Sequence, residues 1–156
     1  SSQTNLLDNT SNELYITGVQ LEVGEYTSST LPPFQHESFG DNLARCQRYY
    51  YKHTEGNNLF VCLTSYYGAN NLQAAMFFKQ PMRSAPTGDM TIGTGYFIVH
   101  RNSAGDEIND LTVEKATENG CVLTTDAADG TSGTAGHAGR IKTNNSSAVV
   151  AFTAEL

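Results

Sequence analysis

Apolar and polar positions alternate with a period of two along most of this chain, the pattern of strands with one buried face. Tyr15, Thr17, Val19, Leu21 and Val23 alternate with Ile16, Gly18, Gln20 and Glu22, which predicts a strand over 14–24. Further strands are predicted over 48–53, 59–67, 73–79, 89–92, 95–101, 111–116, 121–125, 139–142 and 148–154. In 59–67, Leu59, Val61 and Leu63 alternate with Phe60, Cys62 and Thr64. Gly56-Asn57-Asn58 and Gly68-Ala69-Asn70-Asn71 supply turn chemistry on either side of it. Strand signals recurring about every ten residues predict an all-β fold, an antiparallel, jelly-roll-like β-sandwich. The last strand places Val149 and Ala151 on one face and Val150 and Phe152 on the other, so both faces require burial.

Two segments break the alternation. Residues 24–33 end on Pro32-Pro33, which favours extended chain without ladder donors and reads as a linker. Ser38 then precedes Asp41 by three residues, a pattern close to a capping box, and Asp41 suits the positive end of a helix. One short helix is predicted near 41–48, with Leu43 and Cys46 on one face and Arg45 and Arg48 on another. A helix so short needs a sheet under its Leu43/Cys46 face. The chain therefore divides into an N-terminal strand and linker (1–33) and a C-terminal β-sandwich domain (34–156). Residues 126–137, rich in Gly, Thr and Ala, read as a long loop, and so do residues 101–110.

Composition narrows the function classes. The 156 residues are 38% hydrophobic and only 16% charged, with 16 acidic against 9 basic side chains and a formal net charge of −7. Phosphate backbones and anionic membranes call for clustered Lys and Arg, so nucleic acid and membrane surfaces are disfavoured. No apolar run is long enough for a spanning helix. Cys46, Cys62 and Cys121 are odd in number and widely spaced, which predicts buried free thiols in a chain made in a reducing cytoplasm. Ser1-Ser2-Gln3-Thr4 reads as an internal cut in a longer protein, and 149–156 as a natural terminus.

Candidate sites are few. Tyr66, Tyr67, Asn70 and Asn71 combine aromatic faces with planar amides where a strand meets a loop, a combination suited to sugars. Arg101, at the head of the 101–110 loop, joins them as a ligand-binding candidate. Arg45, Arg48 and Arg83 suit guanidinium pairing at a subunit interface. Tyr49 and Tyr51 point one way and Tyr50 the other, as core or interface residues. His36, His53, His100 and His137 lack metal-ligand spacing, and 126–130 lacks the oxygen ligands of an EF-hand, so no metal or cofactor is expected. No nucleophile elbow, zinc-protease motif or phosphate loop occurs, so no enzyme is expected.

Leu43-Ala44-Arg45-Cys46-Gln47-Arg48-Tyr49-Tyr50 follows Pro33-Phe34 and Gly40. Pro81-Met82-Arg83-Ser84-Ala85-Pro86-Thr87 and the terminal Ala154-Glu155-Leu156 come later in the same order. Together these segments resemble the C-terminal domains of tailed-bacteriophage tail fibres and tailspikes, from residue 14 to residue 156. The chain departs from the family pattern at Gln35-His36-Glu37. The resemblance implies a homotrimeric receptor-binding domain at the tip of a virion tail fibre, attached to an upstream fibre module and made in the host bacterial cytoplasm. It implies host attachment through bacterial surface polysaccharide or protein without catalysis. A trimerisation cap and a carbohydrate-binding module of an upstream depolymerase are the alternatives.

Overall fold

The computed structural model describes residues 15–16, 19–21, 23–27 and 29–155. The chain divides into two compact units, Ser1–Ser38 and Phe39–Leu156. Described residues of the first unit form no strand, contrary to the alternation over 14–24, and Leu21 is 94% exposed. Alternation makes a strand only where a neighbouring strand takes up the backbone groups. Leu14, Thr17, Gly18 and Glu22 lie outside the described residues. Local bonds hold the rest, including Gln35 N–H to Gln20 Oε1 at 2.7 Å.

In the second unit, helix α1 (Phe39–Gln47) leads into ten strands. They are β1 (Tyr50–Glu55), β2 (Phe60–Gly68), β3 (Asn71–Phe77), β4 (Thr87–Met90), β5 (Phe97–Arg101), β6 (Ala104–Ile108), β7 (Thr112–Thr117), β8 (Gly120–Thr125), β9 (Ala138–Thr143) and β10 (Val149–Thr153). They form two antiparallel sheets packed as a sandwich, ordered β1-β10-β4 and β6-β5-β9-β2-β3-β8-β7. Phe97, Leu72, Ile108, Leu123 and Ile141 of the larger sheet are fully buried. Opposite them, Phe152 of β10 packs 5.0 Å from Phe78 and 6.3 Å from Tyr51 between ring centroids. β10 is the central strand of the smaller sheet, and both Ala151 and Phe152 are buried, as its two apolar faces require.

Three local expectations are corrected. α1 begins at Phe39 and buries none of its residues. Leu43 and Cys46 stay exposed, and only Ala44 and Gln47 are partly covered, so the helix does not dock through the face its pattern suggested. Cys46 is accordingly an exposed thiol, whereas Cys62 and Cys121 are buried as expected. In β2 the alternation changes phase. The register to β9 shifts between Phe60 and Cys62, so Val61 and Cys62 are both buried and Leu63 turns outward at 70% exposure. One extra residue in a strand sends every later side chain to the opposite face.

Residues 101–110, expected as a loop, instead contain a hairpin in which Arg101 pairs with Ala104 through Asn102 and Ser103. Both turn residues have positive φ, 40° and 61°, as a two-residue primed turn demands. The turn was illegible because it lacks the usual glycine.

Candidate functional site

Tyr66 and Arg101, both expected to meet ligand, turn toward each other inside the protein. Tyr66 is 2% exposed on the inner face of β2. Its hydroxyl donates to Asp106 Oδ2 at 2.6 Å. Arg101 grips the same carboxylate with two donors, Nε to Oδ2 at 2.8 Å and Nη2 to Oδ1 at 3.1 Å. The guanidinium lies over the Tyr66 ring, 5.2 Å from its centroid. With both charged side chains only 14% exposed, this is a fork pairing in a largely dry setting. Burial, and then the bond to Asp106, push the Tyr66 phenol up to about 12. The bond to Asp106 is also the main cause that raises the Arg101 pKa. Asp106 was absent from the sequence candidates because its strand, β6, read as a loop.

This cluster holds down residues 126–137. Arg101 Nη2 donates to the Ser132 carbonyl. Gly133 N–H donates to Ala69 O at 2.6 Å and Gly136 N–H to Tyr66 O at 2.8 Å. A methyl group on Gly133 would overlap the Tyr66 ring. At the start of the segment, Asp126 Oδ1 accepts from Ala128 N–H and Asp129 Oδ2 from Asp126 N–H, closing a capping box on a single 3-10 turn, Ala127–Asp129. Both carboxylates are thus engaged with backbone. Buried Thr131 donates to Thr125 Oγ1 at 2.6 Å. The expected long loop is a strapped cover over one end of the core.

The other candidates separate. Asn70 is exposed at the β2–β3 turn, while Asn71 opens β3 with a buried Oδ1 that has no partner among the described residues. His137 Nδ1 is in the same condition. Tyr67 points outward, 77% exposed. It shares the outer face of β2 with Leu63 and Ser65. On that face of the seven-stranded sheet Phe60 and Phe77 are also exposed. Residues directly opposite in a ladder present side chains on one face. His100 pairs with Arg140, and Arg140 pairs in turn with Leu63. The three therefore form one cross-strand row. Sequence reading weighed His100 only as a metal ligand and passed over Arg140, because only their register unites them.

The interface candidates gather elsewhere. Arg83 N–H donates to Arg48 O at 2.7 Å, and its guanidinium lies 5.6 Å from the Tyr49 ring centroid. Ala154 N–H donates to Tyr49 O at 2.7 Å. Tyr50 pairs with Thr153 and donates its hydroxyl to Asp89 Oδ2 at 3.1 Å. Burial, and then Asp89, raise the Tyr50 pKa. Arg45 stands in the last turn of α1. The Arg48-Tyr49-Tyr50 run, the segment around Arg83 and the end of the chain thus meet at one edge of the smaller sheet, with both tyrosines exposed.

Among the described residues, no group of three His, Cys, Asp or Glu side chains is placed to hold a metal ion. No helix among them is long and apolar enough to cross a membrane. No protein-family model, curated protein or solved structure matches the chain.

Proposed function

We propose that the chain is the distal receptor-binding domain of a tailed-bacteriophage tail fibre or tailspike, a homotrimer that attaches the virion to bacterial surface glycan or protein without catalysis. The observation that carries the recognition reading is the outer face of the larger sheet, where Phe60, Leu63, Tyr67 and Phe77 stand exposed. Apolar side chains grouped on a rigid sheet and left uncovered mark a surface for a partner. The phage reading is supported by the meeting of Arg48-Tyr49-Tyr50, Arg83 and Ala154. Segments far apart in sequence that carry the resemblance are neighbours in space, as parts of one inherited unit would be. Threefold presentation would raise weak single-site binding through avidity.

The test is binding of the fluorescently labelled chain to a panel of bacterial strains. Saturable binding to some strains and not others is expected, and uniform absence of binding would overturn the recognition reading. Light scattering should give three times the 16.9 kDa chain mass. A stable monomer would remove the trimer. One observation favours a second reading. Exposed Tyr49 and Tyr50 beside Arg83 make a compact aromatic and cationic patch suited to contact between copies. A trimer that binds no strain would mark the domain as a structural cap.

A further inference from the structure

The hairpin joining β5 and β6 and the neighbouring strand β9 enclose a hollow of about 390 Å³ on the outer face of the larger sheet. His100, Asn102, Ser103, Gly105 and Arg140 line it. Arg101 also borders the hollow, but Asp106 already takes its charge. Arg140 is different. It is exposed, and no hydrogen bond or ion pair engages its guanidinium among the described residues. Lys142, two residues along the same strand and on the same face, donates to Asn58 Oδ1 at 2.5 Å. Glu107, on the neighbouring row of this face, sits across from Ile98 and accepts from Asn144. Gly105, His100, Arg140 and Leu63, which form this end of the row, include no acidic side chain, and Glu114 stands opposite Val122 at its far end on β7.

A second hollow of about 360 Å³ continues from that row over Leu63, Ser65, Gln73, Ala75 and Val122. Leu63 links the two, since it pairs with Arg140 and lines the second. The result is a track that crosses β5, β9, β2, β3 and β8, cationic at the His100–Arg140 end, mixed apolar and amide along its length, and bordered by Glu114 of β7 only beyond Val122. Tyr67 stands beside it on β2.

We infer that this track binds an acidic oligosaccharide, with Arg140 and His100 receiving a sugar carboxylate and Leu63, Ser65 and Gln73 contacting the following rings. The inference rests on the receptor-binding reading and names its ligand class. Three observations favour it. In a chain of net charge −7, an unpaired guanidinium beside a histidine is a local reversal that an anion would find. Guanidinium geometry matches a carboxylate with two parallel donors. The track runs across strands, whose spacing of about 4.8 Å is comparable to one pyranose unit of a linear chain. An extended peptide, at about 3.3 Å per residue, falls out of step with that spacing.

The test titrates the 156-residue chain with oligogalacturonate, with a neutral oligosaccharide of equal length and with inorganic phosphate, followed by calorimetry and amide chemical shifts. Saturable binding of oligogalacturonate alone is expected, with shifts at His100, Arg140, Leu63 and Ser65. Arg140→Gln and His100→Ala should each weaken it about tenfold or more, as loss of a charge-assisted contact would. Lys52→Gln, on the smaller sheet, should leave it unchanged. Equal binding of the neutral oligomer, equal binding of phosphate, or no binding would each overturn the inference. So would a multimer that Leu63→Glu dissociates, because the face would then be covered by a second copy. The strain panel separates the two readings. If Arg140→Gln binds cells as the parent does, recognition stands and the acidic-sugar track falls. If the parent titrates with oligogalacturonate but binds no strain, the track stands and recognition of bacteria falls.

Discussion

The Tyr66 hydroxyl donates to Asp106 Oδ2 at 2.6 Å, joining residues 40 positions apart in sequence. Tyr66 is nearly sealed from solvent, so its phenol depends on that acceptor. Tyr66→Phe keeps the ring under Arg101 and leaves Asp106 one donor short. Stability should fall by about 1.5–3 kcal/mol, the worth of a hydrogen bond to a charged group. Urea unfolding should show a lower midpoint with an unchanged slope.

Alkaline pH should destabilise the protein. Burial raises Tyr66 from 10.0 to about 12, Cys62 from 9.0 to about 12 and Cys121 from 9.0 to about 11. For each, the folded pKa lies above the unfolded value. The unfolded chain then binds fewer protons than the native chain, so stability falls as pH rises. The contribution is whole below the unfolded values and is lost as pH passes from about 9 to about 12. Thermal melts across that range should show a steady decline. In Tyr66→Phe, the part of the decline above about pH 10 should shrink.

Gly133→Ala tests the strap over Tyr66. The added methyl has no room against the ring, so 126–137 must lift or the ring must move. Overpacking of this kind costs about 1–3 kcal/mol. Limited proteolysis should then cut within 126–137 while the strands of both sheets stay protected. Cleavage no faster than in the parent would show that the segment absorbs the methyl in place.

Thiol chemistry should separate the three cysteines. Cys46 is exposed on α1, and Cys62 and Cys121 are buried with raised pKa. Thiolate, not thiol, is the nucleophile, so the two core cysteines are doubly protected. An aromatic disulfide reagent should titrate Cys46 alone in the native chain and all three in denaturant. Cys46→Ser should abolish the native reaction.

Much of the fold was legible because alternation is local. The strand expected at 121–125 coincides with β8 to within one residue, and the turn at Gly68-Ala69-Asn70-Asn71 lies where the β2–β3 connection falls. Two kinds of feature were not legible. Asn102-Ser103 turns the chain without a glycine, so β6 and Asp106 escaped notice. The strand expected at 14–24 had the right pattern, but its described residues form no strand.

Sequence alone determined that this chain is built of short antiparallel strands, since side-chain alternation and turn residues act over a few positions. Tertiary structure decided which side of those strands faces inward. One unpaired residue in β2 sends Leu63 to the surface and Tyr66 to the core. Two adjacent tyrosines that looked equivalent thereby part: Tyr66 locks a cover over the core, and Tyr67 remains on the open face. Register is a property of two strands at once, and so is the row His100, Arg140 and Leu63. Neither can be read from one strand, because the partner that fixes it lies tens of residues away.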